Sequence, residues 1–223
     1  MTDYKREFCK TVEAAAGHGR AAEVFADMVR AMAIAIESPL TIDAKRREDI
    51  EREYGEIMAR YTADERQHFY AAVGLTMTAL EWRREDFLGH ALEALGAANT
   101  RNGQFLTPIC VSRLMATINA AAKPPDYEPG HIVRLNDPAC GTSVLLIEGA
   151  EALVAKGVRQ GDLLVIAGDI DGRACDASYV QLSLLGYPAI VQHMDALTQK
   201  RFEPDRYTPG YFLHCMPMRR TAA

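Results

Sequence analysis

Three aspartates carry the chemistry that can be read from this chain. Asp137, Asp169 and Asp195 each follow a short apolar run of strand type, and each opens a turn or a helix. After Asp137 come Pro138-Ala139-Cys140-Gly141-Thr142-Ser143, small residues and glycine leading into a helical segment. Such a turn lets a ligand approach the backbone, and the helix behind it offers free N–H groups and the positive end of its dipole. Asp169 lies in Gly168-Asp169-Ile170-Asp171, where an acid at the end of a second strand accepts well from ribose hydroxyls. Asp195 begins Asp195-Ala196-Leu197 after a third strand. Three carboxylates on one rim suit a ligand with hydroxyls, an amino group and a positive centre. The first turn has neither Gly-x-Gly-x-x-Gly nor the Gly-Lys-Ser/Thr phosphate loop. Plainer alternatives stay open on this evidence: an ordinary βα turn, helix-capping acids, and core packing for Ile170.

Rim residues need strands and helices to hold them. Predicted strands at 132–135, 163–167 and 189–192 alternate with predicted helices at 144–156 and 173–185, and Tyr211–Leu213, extending to Cys215, reads as a fourth strand. This alternation implies βαβ units and a parallel sheet, whose ligands bind beyond the carboxyl ends of the strands. Pro108 suits the first turn of a helix carrying Val111, Leu114, Met115 and Ile118. Residues before Asn99 read as helices. From Ala21 to Glu37 the apolar face is Val24, Phe25, Met28, Val29, Met32 and Ile36. A second helix follows Asp43 with Ile50, Tyr54, Ile57, Met58 and Tyr61. Thr62-Ala63-Asp64-Glu65 is a capping-box pattern opening a third, with Phe69, Val73, Met77 and Leu80 on its apolar face. A fourth spans about 84–95 and ends before Gly96. The expected division is a helical region over 1–98 and an α/β domain over 99–223.

Composition narrows the function. The chain has 223 residues, 25 basic and 30 acidic, for a net charge of −5. Residues 1–100 hold 13 basic and 18 acidic side chains, and residues 101–223 hold 12 of each. Neither part has the basic excess that supplies non-specific nucleic-acid affinity. No apolar run is long enough for a membrane span, and the N-terminus lacks the apolar core of a signal peptide, so a cytoplasmic setting is expected. Cys9, Cys110, Cys140, Cys175 and Cys215 are scattered, without a Cys-x-x-Cys pair. The six histidines show no metal-ligand spacing, so no metal is expected; His214-Cys215 is the one pair placed near the expected fourth strand end.

The motifs also resemble a known family. Asp86-Phe87-Leu88-Gly89, Asn99 and Gly103-Gln104-Phe105-Leu106-Thr107-Pro108 look like the N-6 adenine DNA methylases, above all the modification subunit of type I restriction systems and its phage and plasmid relatives. Asp137-Pro138-Ala139-Cys140-Gly141-Thr142 resembles that family's S-adenosylmethionine loop, Asp169-Ile170-Asp171 its ribose motif, and Asp195-Ala196-Leu197 its adenine motif. The resemblance covers roughly residues 84–200. It implies a class I S-adenosylmethionine-dependent methyltransferase domain with a Rossmann-like parallel sheet, here incomplete at about four strands. It also implies site roles. Phe105, Thr107 and Pro108 would border the methionine end of the cofactor. Ala139, Cys140 and Gly141 would bring backbone against it. Asp137 would orient the loop and the cofactor's amino group, Asp169 would hold the ribose hydroxyls, Ile170 would pack on the adenine, and Asp195 would accept from its amino group.

The family's catalytic motif, Asn or Asp followed by Pro-Pro and an aromatic residue, holds and stacks a flipped-out adenine. No such tetrapeptide occurs in the chain. Its best counterpart is Cys215-Met216-Pro217-Met218, and a thiol cannot hold an amino group as an amide does. No catalytic residue is therefore assigned. Two expectations follow: a DNA adenine-N6 methyltransferase-like protein that binds S-adenosylmethionine, or a catalytically inactive cofactor-binding accessory or regulatory subunit of a DNA modification system. The expected partners are DNA, engaged alone or with another subunit, and either a second copy or a target-recognition subunit.

Overall fold

The computed structural model describes residues 3–16, 20–96, 107, 109–121 and 127–216. Helices come first: α1 (Tyr4–Ala16), α2 (Ala21–Glu37), α3 (Ala44–Ala59), α4 (Ala63–Trp82) and α5 (Phe87–Ala94). Local signals fix several of their ends. Asp43 caps α3 by accepting from the Arg46 N–H, and Ser38-Pro39 closes α2 in a 3-10 turn. The capping box of α4 is complete, with the Thr62 side chain accepting from the Glu65 N–H and Glu65 accepting from the Thr62 N–H. Then come α6 (Ile109–Ala121), β1 (Val133–Asp137), α7 (Val144–Ala155), β2 (Leu163–Asp169), α8 (Gly172–Leu184) and β3 (Ala189–Asp195). The chain closes with β4 (Lys200–Arg201), β5 (Arg206–Tyr207) and α9 (Pro209–His214).

β1, β2 and β3 are parallel neighbours in that order, with Leu135 beside Val165 and Val165 beside Ala189. Val133, Leu135, Leu163, Val165, Ala167, Ala189 and Val191 share one face by strand alternation. α7 covers β1 and β2 on that face and α8 covers β2 and β3; α2, α4 and α5 pack in turn on α8. Buried side chains from α1, α2, α7, α8, β2 and β3 form one continuous core, with half-buried Val133 and Leu135 of β1 packed against it. The opposite face carries Arg134 and Asn136, both exposed, and half-buried Leu164, Ile166 and Ile190.

Three expectations are corrected here. The sheet is mixed, because β4 and β5 pair antiparallel with the outer edge of β3. Tyr211–Leu213 is helix rather than a fourth strand. Thr208 is extended, its hydroxyl donates to the Tyr187 carbonyl at 2.7 Å and accepts from the Ala189 N–H at 2.9 Å, and Pro209 starts the helix. Third, several apolar side chains face outward. On α6, Ser112 and Ala116 are the buried positions among the described side chains, small enough for close approach to α7, and Arg113 reaches back to Glu85 and Glu148. That rotation exposes Val111, Leu114, Met115 and Ile118. On α4, Val73 and Met77 are exposed while Phe69 and Leu80 are buried.

The approach to β1 hangs on one carboxylate. Asp162 accepts from the Tyr127 hydroxyl at 2.6 Å, the Gly130 N–H at 3.0 Å and Arg159 Nε at 2.8 Å. Burial pushes this carboxyl up, but the three donors outweigh burial and hold it below the ordinary range. Its stabilisation is therefore full above the ordinary Asp pKa of about 3.9 and fades as pH falls through the lower folded value. Asp162→Asn is expected to cost about 1–2 kcal/mol at neutral pH and to flatten the acid limb of a stability–pH curve. Urea unfolding between neutral and acid pH checks it; an unchanged acid limb contradicts it.

Candidate functional site

The rim forms at the carboxyl ends of β1, β2 and β3, where Asp137, Asp169 and Asp195 are the last strand residues. Adjacent strands in a sheet lie about 4.8 Å apart, and the register pairs Asp137 with Ala167 and Asp169 with His193, so the three acids form a rim staggered by two residues from strand to strand. Asp169 organises it. One of its oxygens accepts from the Gly141 N–H at 2.8 Å and the other from the Asp171 N–H at 2.9 Å. Each oxygen keeps a lone pair for a further donor. Asp137 accepts from the Ala139 N–H at 3.0 Å, and the Cys140 N–H donates to the Gly168 carbonyl at 2.9 Å. The loop after β1 is thus stitched to the end of β2 at two points.

Gly141 takes φ +54°, and a Cβ built there would meet nothing within 4 Å, so the turn faces open space with its backbone uncovered. Ser143, at φ +79°, is a non-glycine residue in the left-handed region, and its hydroxyl bonds to that of Ser178. Cys140 is buried, and burial, reinforced by the nearby Asp169, pushes its thiol up to about 12. At neutral pH it is no thiolate nucleophile; its place in the loop is structural.

Ile170 is 63% exposed beside this loop, which removes core packing as its explanation. Behind it, the His193 Nε2 lies 3.2 Å from the Ile170 carbonyl, and the imidazole stacks on Phe202 at 4.9 Å between centroids. Asp195 accepts from the Leu197 N–H, the Thr198 N–H and the Thr198 hydroxyl, and these bonds hold its carboxyl below the ordinary range. Leu197, in the turn after β3, and Phe202, just past β4, are exposed. Thr107 is half-buried; Phe105 and Pro108 lie outside the described residues.

A second set of polar residues supports the loop from below. Asp86, the N-cap of α5, is buried and accepts from the Gly89 N–H at 2.9 Å, Gln181 Nε2 at 2.9 Å and the Thr142 hydroxyl at 2.5 Å. Gln181 also donates to the Thr142 carbonyl and accepts from the Leu88 N–H, each at 2.9 Å. A Cβ at position 89 would land on the Asp86 carboxylate and the Thr142 hydroxyl, so only glycine fits there. Asp86-Phe87-Leu88-Gly89 is therefore the clasp that holds helix α5 on the loop after β1. Sequence reading singled out this motif without a role. The signal was present in the Asp-x-x-Gly spacing, but its partners Thr142 and Gln181 are distant in sequence.

The model for the family described as N-6 DNA methylase matches residues 83–205, more than half of the chain, from just before the clasp to just past β4. The chain belongs to the N-6 DNA methylase family. No curated protein and no solved structure matches it significantly. N-6 DNA methylases act on DNA and in general depend on S-adenosylmethionine. The matched region includes the clasp, the loop after β1 and all three rim aspartates. Cys215, expected as the counterpart of the catalytic tetrapeptide's first residue, lies beyond the matched residues and is not at this rim. α9 packs against the turn at 160–162 that precedes β2, and a Cβ on Gly161 would lie 2.7 Å from His214 Nδ1. His214 and the buried Cys215 thus sit at the amino ends of the strands, away from Asp169, which corrects their expected place; Pro217 and Met218 lie outside the described residues. No described helix is long and apolar enough to cross a membrane, and no group of three metal-ligating side chains occurs among the described residues.

Proposed function

We propose that this N-6 DNA methylase relative binds S-adenosylmethionine at the acidic rim and serves a DNA adenine-N6 methylation system. The single observation that carries the reading is the rim itself: Asp137, Asp169 and Asp195 end three adjacent parallel strands beside an uncovered glycine turn and an exposed Ile170. The residues suit such a cofactor chemically, since carboxylates complement hydroxyl, amino and sulfonium groups and Ile170 offers an apolar cover for a purine. The cofactor supplies an electrophilic methyl group when bound. In this reading Asp169 accepts from the ribose hydroxyls while bracing Gly141, Asp195 accepts from the adenine amino group, and Asp137 faces the amino acid end with Thr107, Phe105 and Pro108. Ala139, Cys140 and Gly141 supply close backbone approach.

A second reading, a cofactor-binding accessory subunit without its own transfer activity, is favoured by one observation. The given sequence has no Asn/Asp-Pro-Pro-aromatic motif, and Cys215, the first residue of its nearest counterpart, lies by the amino ends of the strands. Calorimetric titration with S-adenosylmethionine and S-adenosylhomocysteine tests the shared claim. Saturable binding is expected, weakened tenfold or more, about 1.4 kcal/mol, by Asp169→Ala and less by Asp195→Ala. Absence of binding by both ligands overturns both readings. Transfer of labelled methyl to adenine in mixed-sequence DNA then separates them: label supports the enzyme, and cofactor binding without label supports the accessory subunit.

A further inference from the structure

Ile170 presents its side chain to the rim from a short link between two elements. β2 ends one residue before it, and α8 begins two residues after it, with Asp171 as the N-cap. Among the described residues no backbone N–H donates to the Ile170 carbonyl. Side chains hold the link instead. Asp169 accepts from the Asp171 N–H at 2.9 Å, and His193, its register partner on β3, brings Nε2 to 3.2 Å from the Ile170 carbonyl. A carbonyl only accepts, so this contact assigns a hydrogen to Nε2.

The imidazole is fixed on its other sides. Phe202 stacks on it at 4.9 Å between centroids, and Nδ1 faces Glu203 Oε1 at 3.4 Å. Gly172 leaves the ring its room: a Cβ there would fall 3.2 Å from His193 Cε1 and 3.5 Å from each ring nitrogen. Glu203 is held in turn. Burial pushes its carboxyl up, but the charges of Arg30 on α2 and Arg206 on β5, together with His193, outweigh burial and draw it below the ordinary range. A line of contacts therefore runs from the helical layer through Glu203 and His193 to the link that carries Ile170. From Ile170 to Glu203 it lies inside the residues matched by the family model.

We infer that His193 is a positioning residue for the adenosine end of the ligand, an inference that rests on the cofactor reading above: by donating to the Ile170 carbonyl it sets the Ile170 side chain where the base is to be covered. His193 acts through Ile170 and need not touch the ligand. A loose link has to be ordered at each binding event, whereas a held link is in place beforehand, and the difference appears as affinity.

Calorimetric titration of the full chain with S-adenosylhomocysteine tests it. His193→Leu keeps apolar bulk but loses both nitrogens, and is expected to weaken binding about fivefold, the worth of one hydrogen bond. His193→Gln returns a donor near the place of Nε2 and is expected to bind within about twofold of the parent. Ile170→Ala weakens binding by itself; on that background His193→Leu is expected to add less than about twofold, because the side chain that the histidine sets is gone. Imidazole nitrogen-15 shifts of the unmodified protein need neither variant nor ligand, and are expected to show the hydrogen on Nε2. A parent that binds no ligand overturns the cofactor reading and this inference with it. A parent that binds, with His193→Leu equally tight, His193→Gln as weak as His193→Leu, or an undiminished loss on the Ile170→Ala background, overturns this inference alone. So does an Nε2 without its hydrogen.

Discussion

Replacing Asp86 by alanine is expected to destabilise the protein by about 3–5 kcal/mol, since three buried donors lose their acceptor and each unsatisfied one costs about 1–3 kcal/mol. Those donors are the Thr142 hydroxyl, Gln181 Nε2 and the Gly89 N–H. Asp86→Asn keeps the size and one acceptor oxygen, so its expected cost is smaller, about 1–2 kcal/mol. The pH dependence has a definite sign. Burial pushes the Asp86 carboxyl above the ordinary range, more strongly than its hydrogen bonds draw it down. The folded state therefore holds this proton more tightly than the unfolded chain. Stability declines as pH rises from the ordinary Asp value through the raised folded value, and that decline disappears in Asp86→Asn. Urea unfolding of both variants across this range reads all three effects at a constant dependence on denaturant. An Asp86→Ala protein as stable as the parent would show that the clasp does not hold α5 to the loop.

The second large effect belongs to the ion cluster that ties the last strands to the helical layer. The Arg206 guanidinium donates to Asp176 at 2.5 Å and lies over the Tyr179 ring at 5.1 Å, with its side chain 2% exposed. Arg30, on α2, donates to the same Asp176 oxygen at 3.1 Å and to Glu53 at 2.7–2.8 Å. Burial draws both guanidiniums down, yet their acidic neighbours outweigh it and both stay charged. Asp176→Ala leaves Arg206 charged and without this carboxylate in the core, at an expected cost of about 3–5 kcal/mol. The double variant Asp176→Leu, Arg206→Met removes both charges and is expected to regain most of that loss, because burying an ion pair costs nearly what the pair returns. A double-mutant cycle by thermal unfolding measures the coupling. Additive losses would mean that Arg206 and Asp176 act independently.

Much of this architecture is legible in short stretches of sequence. Thr62 to Glu65 announces the start of α4 because a capping box closes within one turn. Leu163–Ala167 and Ala189–Gln192 read as strands because buried parallel strands are short apolar runs, and β2 and β3 begin at those residues. Asp137, Asp169 and Asp195 fall at strand ends for the same reason. Two features misled. Tyr211–Leu213 has strand-like composition, but the local preference lost to Thr208-Pro209, which fixes a helix start through bonds to residues 187 and 189. The stripe on α6 has helical period, yet period alone does not say which face turns inward; Ser112, Ala116 and the Arg113 bonds settle that.

Family and rim thus came from contiguous residues, since strand ends, glycine turns and caps are local and their chemistry travels with their motif. The clasp, the ion cluster and the position of Cys215 did not. Asp86 meets Thr142 and Gln181, and Arg30 meets Asp176, only after the helical layer closes on α8. Which polar groups leave water together is decided by that closure, and so is the cost of losing any one of them.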